Sequence, residues 1–161
     1  MKLTEGLEKM LEHYCGSGAF LTSRAGEDVN TMTVSWGMVG RLWNKPVFMA
    51  FVRPQRHTNM ILKKSGSFTI SVPFGTLAEE LKICGTKSGA DIDKSAVVNF
   101  IPAKRVDSPV VKGCDMYYEC KILWRDKFEE SALPEEVRQA HYPQADYHYL
   151  YLGEIVECYR E

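Results

Sequence analysis

The residues of this chain with the most chemistry in them begin at Asn30-Thr31-Met32-Thr33-Val34-Ser35-Trp36, which runs on into Gly37-Met38-Val39-Gly40. At a period of two, Met32, Val34, Trp36 and Met38 share one face of a strand, and Thr31, Thr33, Ser35 and Gly37 the other. That second face is uncharged and low in relief, with hydroxyls that both donate and accept. It suits a flat heteroaromatic ring with polar edges. The same alternation also describes an ordinary half-buried strand, since Thr packs well on a pleated surface.

A second group is Arg53-Pro54-Gln55-Arg56-His57-Thr58-Asn59, just ahead of Met60 to Ser65. Thr58 is placed as an N-cap, Met60 to Ser65 as two short helical turns and Gly66 as the stop. Two arginines beside a helix N-terminus face a dipole end that repels cations. An anion between them and the helix, most simply a phosphate, resolves the conflict. Both guanidiniums pointing into solvent is the plain alternative. A third group, Cys84-Gly85-Thr86-Lys87-Ser88-Gly89, has two glycines, two hydroxyls and one lysine, so its backbone N–H groups can approach a ligand closely. It lacks Walker spacing, the chain contains no G-x-G-x-x-G, and a simple loop reads the same way. Cys84 suits a buried helix end better than a reactive thiol, because only Lys87 is near to lower its pKa. Finally, His148 shares a strand face with Leu150 and Leu152, either as a hydrogen-bonded core residue or as a ligand contact.

The elements that must position these groups are mostly strands. Leu7, Met10, Leu11 and Tyr14 predict one amphipathic helix, stopped by Gly16 and Gly18. Phe20 to Ser23 follows as a strand and Ala25 to Asp28 as a turn. Asn44-Lys45-Pro46 reads as another turn, and Val47 to Val52, apolar on both faces, as an inner strand of a barrel or sandwich. Ser67 to Val72 is a strand closed by Pro73, and Leu77 to Ile83 has helical composition. Tyr118, Cys120, Ile122 and Trp124 line one face of a long strand, with Glu119, Lys121 and Arg125 on the other. Leu133 to Tyr142 is a surface helix or loop, and Asp146 to Val156 the closing strand.

Composition narrows the function classes. The 161 residues are one domain's worth, 1–161 read as a single unit, and 20 basic against 21 acidic side chains give a net charge of -1. No basic run stands out, which argues against nucleic acid or an anionic membrane as partner. The longest apolar run, Val47 to Val52, is too short to cross a bilayer, and Glu5, Glu8 and Glu12 exclude a signal peptide. Five cysteines without a C-x-x-C indicate neither a disulfide framework nor a redox pair, and point to a reducing cytoplasm. No histidine stands at metal-site intervals from Cys114 or Cys120, so no metal is expected.

Asn30 to Trp36, Arg56-His57-Thr58, the loop Cys84 to Gly89 and His148 with Gly153-Glu154, in that order, resemble the flavin reductase-like family of FMN-binding split barrels, flavoredoxins among them. The resemblance runs from about residue 16 to residue 157. It implies a mainly β fold, a split β-barrel with short helices, working as a homodimer with FMN near the subunit interface. Asn30, Thr31, Met32, Thr33, Val34, Ser35 and Trp36 would line the isoalloxazine and ribityl chain. Arg53, Arg56, Thr58 and Asn59 would hold the phosphate. Cys84, Gly85, Thr86, Lys87 and Ser88 would approach from the other side, with His148 near the ring edge. Lys87 and His148 are the candidates for stabilising negative charge on the reduced ring. Ala90 departs from the family, which often has a basic residue there. The implied activity is an FMN-dependent oxidoreductase, reducing flavin with NAD(P)H or relaying electrons to a redox partner protein. A non-enzymatic electron carrier of flavodoxin type, or a flavin-binding sensor, is the alternative.

Overall fold

The structure, a computed structural model, describes residues 4–161. It opens with α1 (Leu7–Gly16), whose Met10 and Tyr14 are buried while Leu11 faces out. Strands β1 (Ala19–Ala25), β2 (Asp28–Val34), β3 (Gly37–Leu42) and β4 (Lys45–Val52) follow, then α2 (His57–Leu62), β5 (Ser67–Val72) and α3 (Ala78–Thr86). Two short strands, β6 (Phe100–Ile101) and β7 (Val110–Val111), precede the long β8 (Met116–Lys127). Then come α4 (Glu135–His141) and β9 (Tyr149–Arg160).

Seven strands form one antiparallel sheet in the order β2-β1-β5-β8-β9-β4-β3. Its two edges, β2 and β3, are joined in sequence by Ser35 and Trp36 alone. A link that short brings opposite edges together only if the sheet curls into a barrel. Side chains on the concave face, among them Leu21, Phe68, Ile70, Tyr118 and Tyr151, fill it with α1 plugging one side. Gly153 lies in this packing because a Cβ there would sit 2.7 Å from Cys120 Cβ and from the Phe68 ring. A smaller cluster of Phe20, Leu81, Val110 and Tyr117 packs on the convex side.

Curling explains where the sequence periodicity misleads. The continuous strand expected from Asn30 through Gly40 breaks after Val34. Met32 and Val34 face the interior, whereas Trp36 and Met38 are 44% and 55% exposed. Trp36 carbonyl oxygen is held by Phe51 N–H and by the Tyr14 hydroxyl, which fixes the reversal. The turn expected at Asn44-Lys45-Pro46 is instead a two-residue hairpin turn at Trp43 and Asn44, with φ of 50° and 60°. This is the left-handed pair that matches strand twist, and Lys45 and Pro46 already belong to β4. β4 lies between β9 and β3, in keeping with its two apolar faces. In β8 an irregularity between Ile122 and Trp124 carries Trp124 off the interior face of Tyr118 and Cys120. Glu119, expected on a polar face, is fully buried, and its carboxylate accepts the backbone N–H groups of Lys104 and Arg105. The closing strand starts and ends later than expected, leaving His148 just ahead of it.

Candidate functional site

A cleft of ≈ 430 Å³, within the usual size of ligand pockets, opens where four segments meet. These are the end of β2 with its Ser35-Trp36 link, the β4–α2 connection, the C-terminal end of α3 with the loop behind it, and His148. Its wall has two chemically different parts.

One part is cationic. Arg56 precedes α2 in an extended conformation, and its Nη1 donates to Gly85 carbonyl oxygen at 2.6 Å, tying α2 to the end of α3. Burial, and then the Arg53 charge beside it, lower the guanidinium's hold on its proton. Lys87 and Lys94 join Arg56 on this wall. Thr58 is not the N-cap; α2 begins one residue earlier, at His57, and no side chain caps it. The Thr58 hydroxyl is taken up instead by Asn30, whose Nδ2 donates to it at 2.8 Å inside the protein. Gly89 must be a glycine because a side chain there would run into that Asn30 amide.

The other part is aromatic. Trp36, Phe51 and His148 line it, with the Trp36 and His148 rings 5.0 Å apart. His148 is 5% exposed and its Nδ1 lies 2.8 Å from the Tyr142 hydroxyl. With the more acidic phenol donating, the ring proton is left on Nε2. Burial first, and the nearby Arg53 charge second, push the imidazole down to about 4, so it is neutral at pH 7. Arg53 is itself engaged. Nη1 pairs with Asp146 at 2.7 Å, Nη2 donates to His141 carbonyl oxygen at 3.0 Å, and the guanidinium stacks over the Tyr142 ring. It thereby pins the segment carrying Tyr142 and His148 against the β4–α2 connection.

Of the residues singled out in the sequence, Asn30, Met32, Thr33, Val34, Ser35, Trp36, Arg53, Arg56, Thr58, Thr86, Lys87, Ser88 and His148 come together on this one wall. Thr31, Asn59, Cys84 and Gly85 lie behind it. Thr31 hydroxyl donates to Leu21 carbonyl oxygen and accepts from Thr22, while Asn59 Oδ1 accepts from Tyr151 hydroxyl at 2.6 Å. Cys84 and Gly85 belong to the last turn of α3, not to a loop, and burial pushes the Cys84 thiol up. The hydroxyl face expected to lie open is therefore largely covered. Thr33 Oγ1 donates to Leu81 carbonyl oxygen at 2.5 Å, so α3 sits over it. Sequence reasoning missed Phe51, His57, Tyr142 and above all Lys94. The only local trace of Lys94 is Asp91-Ile92-Asp93-Lys94, which looks like an exposed charged turn.

Residues 11–161 match the family described as the flavin reductase like domain. The chain belongs to the flavin reductase-like family. Among curated proteins of similar sequence is an uncharacterized protein of Pyrococcus abyssi, 29% identical over 102 residues. The match covers 63% of this chain, and the chain spans 59% of that relative's length. Solved structures with the same fold include a flavoredoxin of Methanosarcina acetivorans, at 22% identity and a TM-score of 0.70 over 89% of this chain and 68% of that one. An FMN-binding protein of Thermus thermophilus, at 24% identity, also superposes with a TM-score of 0.70, over 89% and 70%. A Streptomyces globisporus NADH:FAD oxidoreductase does so at 18% identity and 0.69, over 89% and 74%. At such identities the likeness establishes the flavin reductase-like barrel fold and no more. No helix among the described residues is long and apolar enough to cross a membrane.

Proposed function

We propose that this flavin reductase-like chain binds FMN and acts as an oxidoreductase, reducing flavin with NAD(P)H or passing the electrons to a redox partner protein. The observation that carries the reading is the single wall on which Arg56, Lys87 and Lys94 adjoin the Trp36, Phe51 and His148 pocket. None of those three cations has a carboxylate within 4 Å among the described residues. A phosphate at one end and a planar ring at the other answer both parts. The FMN of the Thermus protein and the NADH of the Streptomyces oxidoreductase support the same assignment. FMN, when bound, supplies hydride and electron transfer.

The chain's own residues bind and orient. Arg56 and Lys87 hold the phosphate, with Thr58 behind them fixing Asn30. Met32, Thr33, Val34, Ser35 and Trp36 border the ring. His148 offers an uncharged N–H donor whose orientation Tyr142 sets, so it can stabilise developing negative charge without adding a fixed positive one. Arg53, held by Asp146, positions this pair and leaves phosphate binding to Arg56. The active unit is a homodimer. Met38, Met49, Leu152 and Trp124 are register partners in a row across β3, β4, β9 and β8 on the convex face. Met38 and Trp124 are exposed at the two ends of this row while Leu152 between them is buried. Together with exposed Trp36 and Trp43, these two supply the apolar side chains that a second copy covers.

The test is the absorption spectrum of the purified protein with added FMN, followed by anaerobic NADH or NADPH. Bound flavin bleached by a nicotinamide is the expected result. A protein that takes up no FMN refutes the flavin reading. Flavin bleached only by dithionite or a reduced ferredoxin-type protein makes the chain a carrier rather than a reductase.

A further inference from the structure

A second cavity, ≈ 410 Å³ and so close in size to the cleft, shares no lining residue with it. α2 separates the two, with Arg56 at its start and Ser65 three residues past its end, on the rim of the second cavity. Part of the lining is a cross-strand row. Ser67, Lys121 and Glu154 are register partners on β5, β8 and β9, and Arg24 of β1 joins them. Another part is the segment Arg105-Val106-Asp107, which is fixed at both ends. The fully buried Glu119 carboxylate accepts Lys104 N–H at 2.8 Å and Arg105 N–H at 2.7 Å. Beyond Asp107, Ser108 Oγ lies 2.8 Å from Ser67 Oγ and accepts from Arg24 N–H at 3.1 Å.

Arg24, Arg105 and Lys121 bring three cations to this cavity against two carboxylates. Glu154 is already paired with Lys45 at 2.6 Å, and Asp107 has no cation within 4 Å among the described residues. Arg105 has only a long contact, 3.6 Å, to Glu157, and neither Arg24 nor Lys121 has a carboxylate within 4 Å. Water serves exposed Lys121 and Arg105, but not all of Arg24. The Arg24 Nε is shut off from solvent and meets no acceptor, which is true of only one other side-chain atom among the described residues. An enclosed N–H without a partner is both costly and rare.

We propose that this cavity is a second binding site, for a small organic molecule carrying two or more oxyanion charges. Its phosphate or carboxylate groups sit among Arg24, Lys121 and Arg105, and its carbon skeleton against Val106 and Leu123. A guanidinium takes an oxyanion side-on through Nε and one Nη. A ligand oxygen there gives the Arg24 N–H the acceptor that the protein does not supply. The site stands whether or not the cleft takes FMN.

Nitrogen-15 NMR of the full chain, titrated with inorganic phosphate and with citrate, reads the two cavities separately. Arg24 Nε–H and the amides of Gly66 and Val106 report on the second cavity, and the amides of Lys87 and Ser88 on the cleft. Saturable shifts of the first group are expected with at least one probe. A response to phosphate alone or to citrate alone then tells a phosphorylated ligand from a polycarboxylate. In Arg24→Gln and in Lys121→Gln that affinity should fall by at least about tenfold, the effect of one lost charged hydrogen bond. Lys112→Gln removes an exposed charge outside both cavities and should leave it unchanged. Titrations of these variants with FMN and with riboflavin should match wild type. No saturable shift with either probe would overturn the proposal, and so would an affinity that Lys121→Gln leaves intact. Equal losses in Lys121→Gln and Lys112→Gln would overturn it too, by making the effect one of net charge. Lys121 is exposed, so its variant decides the matter even if Arg24→Gln does not fold. A wild type whose second cavity responds while Lys87 and Ser88 ignore FMN refutes the FMN reading alone.

Discussion

Neutral His148 makes stability depend on acid in a way that one substitution isolates. The imidazole sits at about 4 in the folded chain against an ordinary 6.5. Between those values the unfolded chain binds a proton that the folded chain refuses. Stability from this group is therefore full above the unfolded value and is lost as pH falls, the loss levelling off once pH drops below the folded value. Linkage with these two values gives a loss of about 0.2 kcal/mol at pH 7 and about 2 kcal/mol at pH 5. His148→Gln removes the titration and keeps a polar group beside Tyr142. Urea unfolding of both proteins at the two pH values cancels the other three histidines and the carboxylates, which are common to both. Wild type should lose about 1.8 kcal/mol more than His148→Gln between pH 7 and pH 5. Parallel losses would mean that the folded ring protonates freely, and His148 could no longer be taken as an uncharged donor at the aromatic end of the cleft.

Arg56→Ala should weaken FMN by ~10- to 150-fold, the worth of a charge-assisted bond of ~1.5–3 kcal/mol, with riboflavin nearly unchanged by the same titrations. Equal effects would assign Arg56 to its bond with Gly85 carbonyl oxygen and to the fold instead. Met38→Lys puts a charge at the exposed β3 end of the apolar row and should convert a dimer into single chains of 18.3 kDa by light scattering. A variant that stays dimeric would move the subunit contact off the convex face of β3.

Elements with strong local signals were legible. Met10 and Tyr14 mark the buried side of α1, and Val47 to Val52 announces an inner strand, because burial on one or two faces leaves a period in the sequence. Asn30, Arg56, Lys87 and His148 were legible as candidates for one site, and the fold brings all four to one cleft. The direction of side chains was not. Whether Thr31 faces a ligand or Leu21 depends on where the sheet curls and where α3 lands, and both are set far away in sequence. Thr58 fits an N-cap by every local rule, yet its hydroxyl is claimed by Asn30, 28 positions earlier. Lys94 was illegible for the same reason. In sequence it ends an acidic turn, and only the carbonyls of Thr31 and Cys84 make it an interior residue.

The sheet order has a consequence for how the chain comes together during synthesis. The β1–β2 and β3–β4 hairpins are made first and are neighbours in sequence, but they belong at opposite edges. The first hairpin finds β5 and then β8, while β4 keeps a bare edge until β9, the last strand made, slides between β8 and β4. Until then the nascent chain holds two separate ribbons with unpaired N–H and C=O rows, the kind of edge that recruits other chains. The cleft closes at the same moment, because His148 stands immediately ahead of β9 and β4 carries Phe51. A chain shortened before Tyr149 would keep every cation of the cleft and still have no barrel to hold them in one wall.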